Sequence, residues 1–386
     1  MRLARLHIVS LISALTILGS CTKDQQSPSK GASANASPVI TTDIYLEAQA
    51  FQIPANTFNN PAAVTMWGWS SCTPGFATCN TPTVPGPGLT TTEGAVLRVH
   101  VRNALTGPYL EPVSVVIPGQ LATMTPVWID PSTGQVTGTG SRPAGDYTSR
   151  VRSFNAEAAP GSPTETVYTW SGIRAGTYLY ESGTHPSVQM QMGLYGALRV
   201  LPATAGRAYD DASTAYDSEA TLLYSEIDPV FHAAIAAGTF GPNPNAPNNP
   251  PAGWLTSTIS YRPQFFLVNG RPFSLGTAPI AGGSAGHRTL LRFLNAGLQS
   301  KVPTLQGPYM SVIAEDGNFI SVTASNGALT PAPRDQYSVF LPAGKTMDAI
   351  LTPASAGNIA IFDRRLNLSN AGTSPGGLLT YLSVSP

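Results

Sequence analysis

Short β-type runs broken by glycine and proline fill the chain from Ile40 onward and limit the folds open to it. The 386 residues include 37 glycines and 35 prolines, residues that end or bend regular elements. Residues 96–101 (VLRVHV) alternate apolar and polar side chains, as a strand with one buried face does. Many short strands at such spacing predict a β-sandwich or barrel. The predicted strands of this first part are residues 96–101, 114–117, 167–170, 177–180 and 194–201.

A second series of predicted strands follows a change in composition after Pro202. This change places a domain boundary between residues 40–203 and 204–386. Asp316-Gly317 lies between two apolar runs and is a strong hairpin signal. No amphipathic helix is predicted, and residues 231–237 are expected to form one short helical turn at most. The predicted strands are residues 222–226, 265–268, 289–294, 309–314, 336–341, 347–351, 359–362 and 378–384.

The overall composition indicates a folded protein with a neutral surface. The formal net charge is zero and charged residues make up 11% of the chain, against roughly 25% in an average soluble protein. A neutral surface gives no electrostatic reason to expect nucleic acid as a partner. The apolar content of 42% is too high for a disordered chain.

Residues 1–21 are predicted to be an export signal. Arg2 and Arg5 form a basic start, and residues 8–18 form a mostly apolar stretch that is too short to span a membrane. The signal ends in Leu-Gly-Ser-Cys, which resembles the lipobox of bacterial lipoproteins. That resemblance implies a lipid on Cys21 and attachment to the cell envelope. The small, polar residues that follow predict a disordered tether over residues 22–39. Thr22, rather than aspartate, implies the outer membrane; ordinary cleavage beside a stray cysteine is the alternative.

Cys72 and Cys79 remain once Cys21 is set aside. They bracket the turn-rich sequence TPGFAT, and in an exported protein such a pair predicts a local disulfide. A two-thiolate metal site is the alternative, although no histidine or further cysteine stands near the pair in sequence.

Residues 176–200 (GTYLYESGTHPSVQMQMGLYGALRV) have the outline of a copper loop. Ser182, His185 and Met190 stand at the spacing C-x2-H-x4-M, with serine at the cysteine position. A blue-copper site uses a thiolate, two imidazoles and a weak axial thioether. A serine hydroxyl is a hard, weak ligand that stays protonated at neutral pH. The loop therefore has the spacing of a blue-copper motif without its central ligand.

Several phrases in both halves resemble the first two cupredoxin domains of the multicopper oxidase family. The resemblance implies an all-β fold of two tandem Greek-key cupredoxin-like sandwiches, with copper as the family's cofactor. It covers nearly the whole chain from residue 40. The phrases are PGPG (85–88), LRVHVRN (97–103), FFLVNGRPF (265–273), LLRFLNAG (290–297), VIAEDGN (312–318), LPAGKTMDAI (341–350) and DRRLNLSNAG (363–372).

The family's copper ligands do not carry over to the matching positions. The family's HWHG phrase corresponds to residues 112–120 (PVSVVIPGQ), which hold no histidine. Glu181 and Gly183 stand where the WYHSH phrase has its two histidines. The remaining ligands of an oxidase belong to a third domain, with HxxHxH and HCH phrases, that is not present in this sequence.

His185, Met190 and Met192 are the candidate metal residues that remain. Met190 and Met192 are two residues apart, so on a strand they would share a face and with His185 could form a thioether-rich Cu(I) site. Core packing is the alternative role for both methionines. His100 is expected to be structural. Glu226, Asp228 and His232 could contact a metal, but framework roles are favoured for them.

Three functional hypotheses follow. The chain is a metal-poor scaffold or binding module anchored to the envelope, or it is an accessory subunit whose copper site another chain completes. The third hypothesis is weak Cu(I) handling by His185, Met190 and Met192. The chain by itself is not expected to be a catalytically active oxidase, although the resemblance is to copper-dependent oxidoreductases.

Overall fold

The computed structural model describes residues 40–58, 60–241 and 251–386. The predicted signal, Cys21 and the tether lie outside the described residues, so these remain predictions. Neither of the two α-helices in the described part of the chain has the length and hydropathy of a membrane span.

The first half forms a sandwich of two sheets with a small third sheet beside it. The larger sheet has the strand order β2-β1-β4-β8, the facing sheet has the order β3-β10-β9, and the small sheet has the order β6-β5-β7. The elements are β1 (Thr41–Ile53), β2 (Val64–Cys72), β3 (Leu89–Thr92), β4 (Val96–Asn103), β5 (Val127–Ile129), β6 (Val136–Thr139), β7 (Arg150–Ser153), β8 (Thr166–Ser171), β9 (Gly176–Glu181), α1 (Pro186–Met192) and β10 (Tyr195–Leu201).

The second half forms another two-sheet sandwich. Its larger sheet has the order β12-β11-β14-β21-β16-β17, with β20 also paired to β16, and its smaller sheet has the order β13-β23-β22-β15. The elements are β11 (Ser218–Ile227), α2 (Pro229–Ala237), β12 (Phe265–Val268), β13 (Ile280–Ser284), β14 (Thr289–Asn295), β15 (Pro303–Leu305), β16 (Met310–Glu315), β17 (Asn318–Phe319), β18 (Ser321–Thr323), β19 (Leu329–Pro331), β20 (Arg334–Gln336), β21 (Thr346–Leu351), β22 (Gly357–Asp363) and β23 (Leu379–Ser385).

Strand pairing repeats from one half to the other. β1 pairs antiparallel with β2 and parallel with β4, and β11 pairs in the same way with β12 and β14. In the smaller sheets, β10 pairs parallel with β3 and antiparallel with β9, as β23 does with β13 and β22. The two halves are therefore tandem copies of one topology, which confirms the predicted all-β class of two cupredoxin-like sandwiches. The boundary near residue 203 stays a prediction.

Alternating side chains of β4 contribute to the core of the first sandwich. In β4, Leu97, Val99 and Val101 are fully buried, whereas the intervening Arg98 is exposed. These residues pack with Trp170 of β8 and Tyr180 of the facing sheet in one apolar cluster. Complete burial of an apolar side chain of this size contributes roughly 1.5–3 kcal/mol to stability. Burial of these alternate apolar residues therefore stabilises the sandwich.

Several local predictions were wrong and one was confirmed. Residues 231–237 belong to the nine-residue helix α2, which Asp228 caps by accepting hydrogen bonds from the backbone N–H groups of Val230 and Phe231. Of the predicted strand 336–341, only Gln336 lies in a strand, at the end of β20, and the rest makes isolated bridges at Ser338 and Leu341. Residues 114–117 make only an isolated bridge at Val116. The Asp316-Gly317 hairpin is confirmed, because Glu315 pairs with Asn318 across it.

A buried charged network joins the two halves. Arg292 of β14 lies 3.0 Å from the Glu219 carboxylate and 3.9 Å from that of Asp348, and its Nη1 donates to Thr177 of β9 at 2.7 Å. Asp348 accepts hydrogen bonds of 2.6 Å from the hydroxyls of Thr177 and Tyr209. The Arg292 and Asp348 side chains are each 1% exposed. We call this set the seam network.

Candidate functional site

The loop between β9 and β10 contains the short helix α1, which was not predicted. Pro186 occupies the first turn of α1, where its missing N–H is not needed. Gly193 ends the helix at a φ of 122°, and a Cβ there would lie 2.2 Å from the Trp67 carbonyl oxygen. The loop therefore turns into β10 only with glycine at this position.

This helix separates Met190 from Met192. Residues two apart on a helix do not face each other. Met192 is fully buried in the core of the first sandwich, and Met190 is half-buried against a cluster that includes Leu223 and Leu294 of the second half. The expectation that both thioethers share a strand face is therefore wrong, and the structure does not bring them together beside His185.

Hydroxyl and amide groups surround Ser182. Its Oγ donates to Oε1 of Gln189 at 2.6 Å, and Nε2 of Gln189 donates to the Pro112 carbonyl oxygen at 2.9 Å. Oγ1 of Thr184 lies 2.9 Å from the Ser153 hydroxyl and 3.1 Å from that of Ser114. These side chains are buried, and each makes hydrogen bonds to other protein groups. We call Ser114, Ser153, Ser182, Thr184 and Gln189 the hydroxyl network.

The small third sheet, through β7, contributes a side chain and backbone hydrogen bonds to this network and its loop. Ser153 is the last residue of β7, and its Oγ donates to the Asn155 carbonyl oxygen at 2.6 Å. The Arg152 carbonyl accepts from the His185 N–H at 2.9 Å, and the Phe154 N–H donates to the Gly183 carbonyl at 3.0 Å. Residues far apart in sequence therefore meet at the loop because β7 runs beside it.

His185 is held by an acid that the sequence did not single out. Its Nδ1 lies 2.5 Å from Oε1 of Glu111, and this hydrogen bond raises the pKa of His185 above its usual value. Glu111 also accepts from the Tyr109 hydroxyl at 3.1 Å. His185 has a φ of 40°, a left-handed conformation that is uncommon for residues other than glycine. The imidazole side chain is 39% exposed, so it is the accessible member of the loop.

Glu181 introduces an unpaired carboxyl beside the network. Its backbone exchanges hydrogen bonds with Val116 at 2.9 and 3.0 Å, whereas its Oε2 is shielded from solvent and has no hydrogen-bond partner among the described residues. Burial raises the pKa of Glu181 to about 7. Gly183, at the second family histidine position, lies against Val116, whose Cγ1 would be 2.7 Å from an added Cβ. A side chain at residue 183 would therefore require Val116 to move.

The other histidines make framework contacts. His100 lies between two carboxylates, with Nε2 3.0 Å from Asp43 and Nδ1 3.1 Å from Glu165. His232 is buried with Nδ1 2.7 Å from the Thr65 carbonyl oxygen, and burial lowers its pKa to about 4.

Glu226, Asp228 and His232 each have a separate partner. Glu226 pairs with Lys301 at 2.6 Å and Asp228 caps α2, so these residues do not converge on one point. Across the described ranges, no three His, Cys, Asp or Glu side chains are placed to hold a metal.

Cys72 and Cys79 are joined in a disulfide that closes the turn around residues 74–76. Both sulfurs are therefore bonded to each other, and neither is free to act as a thiolate ligand.

The donor set of the loop does not fit copper. The groups around Ser182 are neutral hydroxyls and an amide, which are hard ligands with low affinity for copper. The imidazole of His185 is bonded to Glu111, and the thioethers point to different clusters. Sequence reasoning found the loop but missed Glu111, Ser114 and Ser153, since these residues come from segments 29–74 positions away from it and no motif marks them.

The chain matches solved structures of copper proteins. A blue copper oxidase from Nitrosomonas europaea superposes with a TM-score of 0.58 at 17% identity, over 89% of this chain and 86% of that one. The copper nitrite reductase of the same organism superposes with a TM-score of 0.57 at 16% identity, over 89% of this chain and 94% of the reductase. A laccase from Botrytis aclada superposes with a TM-score of 0.54 at 19% identity, over 90% of this chain and 53% of the laccase.

These matches establish the fold. The sequence matches no protein-family model and no curated protein sequence. The chain has the tandem cupredoxin-like β-sandwich fold of multicopper oxidases, which confirms the resemblance seen in the sequence at the level of the fold.

Proposed function

We propose that this chain is an exported binding module that uses the cupredoxin-like double sandwich as a scaffold and has no copper centre of its own. One observation carries the proposal: the hydroxyl network occupies the loop where the family resemblance places copper ligands. Each of its polar groups is satisfied by another protein group, so binding a metal there would break buried hydrogen bonds, each worth about 1 kcal/mol net.

Copper loading of the purified protein tests this proposal. After incubation with Cu(II) and a reductant, the protein is dialysed against a weak chelator, and bound copper and visible absorption are measured. We expect no retained copper and no intense thiolate-to-copper band. One copper per chain, retained with such a band, would overturn the proposal.

Ser182→Cys is the matched variant for this experiment. It supplies the missing thiolate at the motif position with a change of one atom. We expect the variant to remain colourless, because Ser114 and Gln189 hydrogen-bond around this position and no pair of imidazoles is present there. A blue Ser182→Cys protein would mean that only the thiolate is missing from an otherwise intact copper site.

A second candidate is an accessory subunit of a copper-dependent oxidoreductase whose metal ligands come from a partner chain. The partly exposed His185 imidazole favours it, since an exposed imidazole can enter a site shared between chains. Co-expression with the product of the neighbouring gene tests this role. Copper that co-purifies with the pair and is lost in His185→Gln would support the accessory role; copper unaffected by that change would exclude His185 from it.

Weak Cu(I) handling requires His185 together with one methionine. Met190 is half-buried beside the loop surface, whereas Met192 is fully buried. Competition with a Cu(I) chelator should therefore be weakened by Met190→Leu and unaffected by Met192→Leu. Equal effects of both changes, or none, would contradict this role.

Attachment to the envelope through Cys21 is the remaining part of the proposal. We expect Cys21→Ser to move the protein from the membrane fraction to the soluble fraction and to abolish incorporation of labelled palmitate. Retention of the label in Cys21→Ser would mean that the lipid, if present, is attached elsewhere.

A further inference from the structure

A cleft of about 1130 Å³ lies where the two halves meet, and no residue of the β9–β10 loop lines it. The first half contributes the end of β1 and part of β2, and the second half contributes the turn after β12 and the segment that leads to β13. Small-molecule sites favour such junctions and commonly measure roughly 300–1,000 Å³. The apolar walls come mainly from Phe51, Ile53, Met66, Leu267, Phe273 and Ile280.

The two walls are held in fixed positions. Met66 of β2 and Leu267 of β12 belong to one buried apolar cluster. Gly270, with a φ of 78°, lies so close to the first half that a Cβ there would be 2.0 Å from the Val84 carbonyl oxygen. Asn269 is fixed by a hydrogen bond from its Nδ2 to the Thr221 carbonyl oxygen at 2.8 Å and by one from the Leu223 N–H at 2.9 Å. The cleft is therefore formed without a ligand.

Among the residues that the structure describes, Arg271 is the one charged residue that lines the cleft. Its backbone is held by two hydrogen bonds with Val268, of 2.9 and 3.1 Å. Its guanidinium makes no ion pair or hydrogen bond with any side chain or backbone group in residues 40–58, 60–241 and 251–386. One unpaired cation beside apolar walls is complementary to a molecule with an apolar body and one anionic head, because guanidinium binds a carboxylate in a bidentate geometry.

Leu275 extends the apolar surface at the edge of the cleft. It lines the cleft and is 82% exposed, so bound apolar groups would remove its side chain from water. Removing this apolar surface from water favours binding.

We propose that this cleft binds a free alkyl carboxylate, with the chain along the apolar walls and the carboxylate on Arg271. The inference deepens the proposed function, since it names the class of ligand that the binding module takes. It does not depend on the outcome of the copper experiment, because the cleft and the loop share no residues.

Displacement of a fluorescent alkyl carboxylate from the Cys21→Ser chain tests the inference, since this chain lacks the predicted lipid and needs no detergent. Decanoate should displace the probe at roughly one-tenth of the decanol concentration or less, because only decanoate pairs with Arg271. Arg271→Gln should remove this preference while weak decanol binding remains. Arg364→Gln, at an exposed arginine that does not line the cleft, is the matched control and should behave as the parent chain.

Ala278→Trp provides a second variant at an exposed position of the lining and should reduce the binding of both ligands by blocking the entrance. No displacement by decanoate, or an unchanged decanoate preference in Arg271→Gln, would overturn the inference. An arm with phosphatidylglycerol vesicles separates a free ligand from a membrane surface. Arg271-dependent sedimentation with vesicles, without displacement by decanoate, would also overturn it.

Discussion

The hydroxyl network and the seam network are both buried and polar, but they differ in charge and in the parts of the chain that they connect. The hydroxyl network is neutral, lies within the first half, and consists of side chains of residues 114–189. The seam network contains Arg292, Asp348 and Glu219 and connects β9 of the first half to β14 and β21 of the second.

This difference shows where the chain agrees with the phrases that carry the resemblance and where it departs from them. Arg292 and Asp348 lie within LLRFLNAG and LPAGKTMDAI, two of the phrases that carry the resemblance. The loop, in contrast, lacks the family's ligands at the matching positions and is closed by hydrogen bonds among serine, threonine and glutamine side chains. Removing one partner of a buried charged pair leaves an uncompensated charge, whereas removing a neutral partner leaves one unpaired dipole.

Asp348→Ala should have the largest effect on stability. It removes the acid beside Arg292 and the acceptor of the Thr177 and Tyr209 hydroxyls, so the free energy of unfolding should fall by about 3–5 kcal/mol. Urea denaturation followed by tryptophan fluorescence measures this change. If the Asp348→Ala protein fails to fold, Asp348→Asn, which retains hydrogen-bonding groups, should give a smaller loss in the same direction.

Arg334→Ala is the control for the seam network. Arg334 pairs with Glu315, and the two side chains are 51% and 32% exposed. Such pairs contribute at most about 1 kcal/mol. If Arg334→Ala lowers the free energy of unfolding as much as Asp348→Ala does, burial is not the reason that the seam network stabilises the fold.

Glu181→Gln should stabilise the protein at alkaline pH. The pKa of Glu181 is raised by burial from 4.5 to about 7, so the fold prefers the neutral carboxyl. The cost of ionisation begins as pH rises above the unfolded value and is complete above about pH 7. Glu181→Gln removes this cost, and the gain should be about 1–3 kcal/mol at pH 8 and near zero at pH 4.

Unfolding curves of Glu181→Gln at both pH values test the sign of this effect. Glu47→Gln is the matched control, because Glu47 lies on β1 and its carboxylate has a hydrogen-bond partner in Gln49 at 2.6 Å. A pH-independent gain in Glu181→Gln would show that removal of the charge is not its source.

Ser182→Ala should lower the free energy of unfolding by about 1–2 kcal/mol, less than Asp348→Ala does. The change leaves the Gln189 amide oxygen without its hydrogen-bond donor. Gln189→Leu should lower the free energy of unfolding by less in the Ser182→Ala chain than in the parent chain, since the hydrogen bond between the two side chains is already lost. A double-mutant cycle measures this coupling. Strictly additive losses would show that the pair does not act as a unit.

His185→Gln should have the smallest effect, below about 1 kcal/mol, because solvent screens the half-exposed pair with Glu111. The pKa of His185 is raised in the fold, so the pair stabilises the protein at acidic pH. This stabilisation is lost as pH rises through the folded pKa. Glu111→Gln should remove the same pH dependence, and a larger effect at alkaline than at acidic pH would contradict the assignment.

The sandwich strands could be predicted because their pattern is local. In β4 the alternation of buried side chains is set by strand geometry, and the sequence shows it directly. The helix α1 could not be predicted in this way, because PSVQMQM is short and its Gly193 stop depends on contact with Trp67. Glu111, Ser153 and Arg271 were missed for a related reason, since their roles come from partners that are distant in sequence.

The order of apolar and polar residues determined the all-β class, and residue types alone show that the family's copper ligands are missing at the matching positions, because both depend only on residue type and spacing. The tertiary structure decided what replaces those ligands. Pairing of β7 with the loop brings Ser153 to Thr184, helix α1 separates Met190 from Met192, and the packing of the halves opens the Arg271 cleft. These outcomes depend on which distant segments meet, and that is set by the packing of the whole chain.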